Sequence, residues 1–173
     1  MKIRLAAEQD MPTLREMYRL VVEKMTQSGL EIWDDVYPAE FLKDDIAAQN
    51  LYLAEENDRP VAAFVLSPNH AEGNSVQWNL PGESVIYLDR LAVSADHARR
   101  GLGEQMLHAA AVLAEEKGYT VLRLFVVDIN FPALRLYQKA GFRQAGGCLV
   151  EEFDDGFSLQ EFGFEIAVKD LRG

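Results

Sequence analysis

The stretch Val93–Gly118, VSADHARRGLGEQMLHAAAVLAEEKG, puts Arg99, Arg100, Gly101 and Gly103 where an extended segment gives way to a helix. Before it, SVIYLDRLAV (84–93) reads as a strand. After the glycines, Leu102, Met106, Leu107, Ala110, Leu113 and Ala114 recur at helical spacing, so a helix is predicted from about Arg100 to Lys117, stopped by Gly118. VLRLFVV (121–127) is the next strand. A helix between two strands makes a crossover, so the strands should run parallel with a right-handed connection. Ligands of such sheets lie outside the carboxyl ends of the strands, and here that end carries DHARRGLG (96–103).

The amides of a helix's first turn lack intrahelical acceptors, and the helix dipole adds partial positive charge there. Glycines let an anion approach those amides. Together they suit a phosphate. A P-loop would need Gly-Lys-Ser/Thr where Gly103-Glu104-Gln105 stands, and a dinucleotide fingerprint would need glycine at Met106. From this turn alone, a tight helix entry with solvated arginines is an equal reading.

Working outward, KIRLA (2–6) is a first strand. Asp10 is placed to cap a helix that begins near Pro12 and keeps its apolar spacing to Ser28-Gly29. LEIWDDVYP (30–38) is irregular, and Pro38 opens a second helical stretch through about Asn50. LYLAEENDRPVAAFVLS (51–67) is a hairpin whose two apolar runs flank Glu56-Asn57-Asp58-Arg59, with Pro60 starting the second strand, followed by a polar loop. FPALRLYQKAGF (131–142) is a helix with Pro132 in its first turn and Gly141 past its end. GGCLVEEF and SLQEFGFEIAV form a closing hairpin around Asp154-Asp155-Gly156. No repeat or linker interrupts the chain, so one domain over 1–173 is expected.

The 173 residues carry a net charge of −11. That argues against nucleic acid or an anionic membrane as a partner and leaves room for a cationic one. No apolar run approaches the about 20 residues of a membrane helix. One cysteine, Cys148, makes no internal disulfide, and the start lacks a signal peptide pattern; a cytoplasmic protein is expected. His70, His97 and His108 show no metal-ligand spacing, so no metal is expected.

A second motif narrows the reading. VVDINFPALRLYQKAGFRQAG (126–146) follows the second parallel strand. With LDRLAVSADHARRGLGEQML, it resembles the GNAT superfamily of N-acetyltransferases, closely over about Ile86–Phe142 and loosely at Ile3–Leu5 and Asp10. The family's Gln/Arg-x-x-Gly-x-Gly/Ala turn falls on Ala98–Gly103, with Ala98 departing from it. Asn-x-x-Ala-x-x-x-Tyr-x-x-x-Gly-Phe fits Asn130, Ala133, Tyr137, Gly141 and Phe142.

The resemblance implies an α/β fold: a mixed, mostly antiparallel twisted sheet of about seven strands, a parallel central β-α-β crossover, splayed central strands and about four helices. It implies acetyl-CoA as cosubstrate, lying where the parallel strands splay. Leu91, Ala92 and Val93 would pair with the pantetheine arm, and the Leu91 region would donate an N–H to the thioester carbonyl. Amides from Arg99, Arg100, Gly101, Leu102, Gly103 and Glu104 would hold the pyrophosphate. Glu104 is an acid where the family commonly has a small or basic residue. Asn130 and Ala133 would contact the CoA arm, or Asn130 would cap its helix.

Chemistry would be direct attack by an amine, with Tyr137 protonating the departing thiolate; the alternative for Tyr137 is a core tyrosine. Asp89 and Glu83 are the candidate general bases, and Asp89 could instead pair with Arg90 or Arg123. The acid-rich stretches 31–45 and 151–155 read mostly as solvated faces. Trp33, Tyr37 and Trp78 are candidates for holding a cationic amine by cation–π attraction, against a small packed cluster under long loops. The expected acceptor is a small amine or an exposed protein amine. A catalytically idle acyl-CoA-binding module is the competing reading, transfer of a longer acyl group a third, and a homodimer is possible.

Overall fold

The computed structural model of the chain describes residues 1–82, 84–98, 100–153 and 156–172, the side chain of Arg172 excepted. Glu83, Arg99, Asp154 and Asp155, four of the residues singled out above, lie outside the described residues.

Eight strands and five helices are present among the described residues: β1 (Lys2–Leu5), α1 (Met11–Gln27), α2 (Leu42–Ala47), β2 (Leu51–Glu56), β3 (Arg59–Ser67), β4 (Val85–Val93), α3 (Leu102–Glu116), β5 (Val121–Val127), α4 (Phe131–Lys139), β6 (Arg143–Gln144), β7 (Leu149–Glu152), β8 (Ser158–Ala167) and α5 (Val168–Arg172). The crossover β4–α3–β5 is parallel, while β1–β2, β2–β3, β5–β8, β6–β8 and β7–β8 pair antiparallel. This is the mixed, mostly antiparallel α/β sheet expected, with one strand and one helix more than the approximate count. The additions are β6 and α5, two and five residues long, too short to leave a periodic signal.

The chain divides into two compact units. One is Met1–Leu66 with Asp89–Ala109, and the other is Ser67–Leu88 with Ala110–Gly173. In the first unit the strand order is β1-β2-β3-β4. Asn57 and Asp58 have φ of 52° and 60°, the paired left-handed residues that a two-residue hairpin needs. Leu14, Met17 and Tyr18 of α1, Leu42 and Ile46 of α2, and Leu51, Leu53, Ala63, Val65 and Ala92 of the strands form its core. Leu14, Met17, Tyr18 and Val21 or Val22 recur every three to four residues, which aims one stripe of α1 at the sheet.

Two local expectations are corrected here. Asp10 stands before α1, but its side chain makes no forward cap; it accepts from the Ala7 N–H at 2.8 Å and from Arg4 at 2.7 and 2.8 Å. A guanidinium offering two donors outcompetes a single backbone amide. The helix expected from Pro38 is only Leu42–Ala47. After an isolated turn in which Glu40 N–H donates to Val36 O, Phe41 N–H closes on Pro38 O in a tight turn, and the α-type bond that opens α2 is Asp45 N–H to Phe41 O.

In the second unit the order is β4-β5-β8-β6, with β7 also on β8. The β4–β5 ladder is short: Val85↔Val121, Ile86↔Leu122 and Tyr87↔Arg123. β5 pairs over its whole length with β8, from Val121↔Ala167 to Val127↔Glu161. Gly163 of β8 has no room for a side chain, because a Cβ there would sit 2.8 Å from the Trp78 ring and 2.9 Å from Val76. Gly118 and Gly141, with φ of 84° and 91°, end α3 and α4 where the sequence places the stops.

Candidate active site

In the first unit, β4 delivers Leu91, Ala92 and Val93 to the start of α3. Ala92 is buried, while Leu91 and Val93 are half-buried. Ser94 then turns the chain: its N–H donates to Val61 O, and a single 3-10 turn follows at Ala95–His97. The turn is clipped from the side. Ser94 Oγ lies 2.8 Å from His97 Nδ1, and His97 Nε2 lies 3.1 Å from Glu56 Oε2 on β2.

Gly101 has φ of 75°, and a Cβ built on it would meet nothing within 4 Å. Open space beside a left-handed glycine is what an anion cradle requires. Gln105 N–H donates to Gly101 O, so the amides of Leu102, Gly103 and Glu104 come before the first turn has closed. Leu102 is buried and anchors the helix, while Arg100 and the Glu104 side chain are exposed. The backbone donors of Leu102, Gly103 and Glu104 could hold an anion here.

One residue earlier than Leu91, Arg90 has φ of 50° inside a strand. Its guanidinium forks onto Asp45, Nε to Oδ2 at 3.0 Å and Nη2 to Oδ1 at 2.8 Å. It also lies 5.3 Å above the Phe41 ring. Burial pulls the Arg90 pKa down, but Asp45, with Tyr37 assisting, holds it above its ordinary value. Burial pushes the Asp45 carboxyl up, against the pull of Arg90. The Tyr18 O–H donates to Arg90 O at 2.7 Å, and burial raises that phenol well beyond its usual range.

Trp33 and Tyr37 belong to the same assembly. Ring centroids step from Tyr18 to Trp33 (6.0 Å), Trp33 to Tyr37 (6.1 Å) and Tyr37 to Phe41 (5.5 Å). Asp34 accepts from the Val36 and Tyr37 amides, which lower its pKa and fold the loop locally. Trp33 and Tyr37 are therefore brought together, as members of a packed aromatic row. Glu31, Asp34, Asp35, Glu40 and Asp44 are exposed, as a mostly solvated acidic face requires, and Asp45 is the buried exception. Asp89 is half-buried on β4; Arg90 pairs with Asp45 and Arg123 with Glu165.

In the second unit, Asn130 caps α4 by accepting from the Ala133 N–H at 3.3 Å. Tyr137 is 8% exposed, its ring 5.7 Å from that of Phe142. Just past β5, Asp128 Oδ1 is the one buried side-chain N or O atom without a hydrogen bond among the described residues. Trp78 is committed to packing. Its Nε1–H donates to Gly73 O at 2.7 Å, Arg123 lies 4.4 Å over its ring, and Tyr87 and Phe125 meet it edge-on. The chain's own cation, Arg123, thus lies over one face of this ring. His70 stacks on Phe125 at 4.6 Å, a contact that sequence spacing does not signal. Among the described residues no group of three or more His, Cys, Asp or Glu could hold a metal ion, and no helix is long and apolar enough to cross a membrane.

The family model described as "Acetyltransferase (GNAT) family" matches residues 14–142. Mycothiol acetyltransferase of Clavibacter sepedonicus is 42% identical over 64 residues, which are 37% of this chain and 20% of that protein. YwnH of Bacillus subtilis, provisionally named a phosphinothricin acetyltransferase, is 26% identical over 147 residues, 84% of this chain and 86% of the relative. Among solved structures, a GNAT-family acetyltransferase of Listeria monocytogenes superposes with a TM-score of 0.74 at 18% identity, over 96% of this chain and 94% of that one. YncA of Salmonella typhimurium, solved with acetyl-CoA, gives 0.71 at 18% identity, over 97% and 94%. These likenesses show a shared fold.

Proposed function

The chain belongs to the acetyltransferase (GNAT) family, and from that premise we propose that it transfers the acetyl group of acetyl-CoA to a primary amine, on a small cationic molecule or an exposed protein amine. The observation that carries the reading is the left-handed, open Gly101 turn at the start of α3, on the connection that leaves a strand whose Leu91 and Val93 are half-buried.

Acetyl-CoA, when bound, supplies an activated thioester. The amides from Gly101 to Glu104 hold its pyrophosphate, with Arg100 adding charge. The backbone of Leu91–Val93 aligns the arm, and the Leu91 N–H stabilises the oxygen on which negative charge develops. Asp89 accepts the proton that the amine must lose, directly or through water. Tyr137 delivers a proton to the sulfur; a phenol near pKa ~10 and a thiol near ~8.5 are close enough for a positioned transfer. Holding both reactants supplies much of the rate, with effective molarities of ~10⁵ M or more open to aligned pairs.

The acceptor segment of this reading is 31–45, where acids outnumber the one lysine. That YwnH and the Clavibacter protein carry acetyltransferase names supports the reaction class. An amine panel assayed for acetyl-CoA-dependent thiol release tests the proposal. A second reading, an acyl-CoA-binding module without turnover, draws on Glu104, an exposed acid in the first turn of α3. Binding without thiol release for any amine would favour it.

A further inference from the structure

We infer that Arg90 is a positioning residue for this transfer, through which α1 and the segment 33–45 fix the backbone turn that presents the Leu91 N–H. The inference rests on the role given to Leu91 above. A non-glycine residue keeps a left-handed φ inside a strand only where its surroundings over-determine it. At Arg90 they do. The side chain is held by a two-donor fork to Asp45 and by the Phe41 ring, and the carbonyl is held by the Tyr18 O–H.

Tyr18 comes from α1, while Phe41 from the loop and Asp45 from α2 belong to the segment proposed above to face the acceptor. Trp33 and Tyr37 extend the same row of rings. The carbonyl of Arg90 and the N–H of Leu91 share one peptide plane. Whatever orients the Tyr18 bond therefore also orients the Leu91 donor. Shifting the 33–45 segment would reach the acetyl oxygen through Arg90, with no contact of its own to the thioester.

The test uses the whole chain and three variants. Arg90→Gly accepts φ of 50° without strain but deletes the fork. Arg90→Lys keeps the charge and loses the two-donor geometry. Tyr18→Phe removes the hydrogen bond to Arg90 O and leaves the Arg90 side chain intact. For Arg90→Gly we expect kcat to fall by about 10- to 100-fold, the scale of a small misplacement of reacting groups. The KM for acetyl-CoA should stay within about 2-fold, because the pyrophosphate turn is untouched. Arg90→Lys should recover part of kcat, and Tyr18→Phe should lie between Arg90→Lys and Arg90→Gly.

An activity-independent readout is the carbonyl stretch of bound, 13C-labelled acetyl-CoA. It should be lowered in the wild type and move back toward the free value in Arg90→Gly and Tyr18→Phe. A folded Arg90→Gly, or, if that variant does not fold, a folded Tyr18→Phe, with wild-type kcat and carbonyl frequency would overturn the inference. If the wild type turns over no amine, the acetyl-transfer reading fails separately, and the carbonyl frequency alone decides on Arg90.

Discussion

The guanidinium of Arg90 and the carboxylate of Asp45, 45 residues apart in sequence, close on each other through donors at 3.0 and 2.8 Å. Their side chains are 14% and 12% exposed, so neither charge is well solvated. Removing one partner strands the other, which costs about 3–5 kcal/mol for a buried pair. Asp45→Ala should lower Tm by on the order of 10 °C. Asp45→Ala with Arg90→Met should recover part of that loss; a double variant no better than the single one would show that the pair is not coupled.

Acid stability turns on Asp10. Arg4, with the Ala7 amide assisting, holds its carboxyl below the ordinary value for an aspartate. A folded-state pKa depressed below the unfolded one gives stability that is present above about pH 4 and lost as pH falls through the folded value. Asp10→Asn should therefore destabilise the protein at pH 7 by roughly 1–3 kcal/mol and by less at pH 3. Urea titrations of both proteins at the two pH values measure this; an equal loss at both would remove the charge from the explanation.

Gly101 and Gly118 separate strain from binding. Both have left-handed φ, 75° and 84°, and open space where a Cβ would go. Alanine at either site should cost about 1–2 kcal/mol. Only Gly101→Ala should also weaken acetyl-CoA in calorimetry, and Gly101→Glu should abolish its binding in a folded protein. Equal affinities for Gly101→Ala and Gly118→Ala would place the pyrophosphate elsewhere.

Tyr137 is buried against Phe142 and carries the proton in the proposed chemistry. Tyr137→Phe keeps the ring and deletes the acid. We expect kcat to fall by about 100-fold or more with the acetyl-CoA Kd unchanged. Unchanged turnover would return Tyr137 to a packing role.

The crossover and its turn were legible because they obey local rules. Leu102, Met106 and Leu107 mark one helix face, and Gly101 and Gly118 stand where the backbone needs them. The motif from Asn130 to Phe142, read together with the glycine turn, points to the family because its residues fall within one helix and its two ends. Asp45 was illegible: in an acid-rich segment every carboxylate looks alike, and what sets it apart is an arginine 45 residues away. The left-handed turn at Arg90 left no glycine to announce it. Trp78 looked like an acceptor aromatic, because the sequence does not show that Arg123 lies over its ring and that Gly163 was left bare for its edge. Local spacing reports what a residue's neighbours in the chain require, and these three answer to neighbours far along it.

The central claim is acetyl transfer to an amine from a cradle built on Gly101. It is tested most directly by mixing the full chain with acetyl-CoA and a panel of cationic small amines and amine-bearing peptides, and following free thiol and acetylated product together. The expected result is stoichiometric thiol and acetyl-amine for at least one acceptor, lost in Gly101→Glu. Tight acetyl-CoA binding with no acetylated product from any acceptor would contradict it and leave a binding module in place of an enzyme.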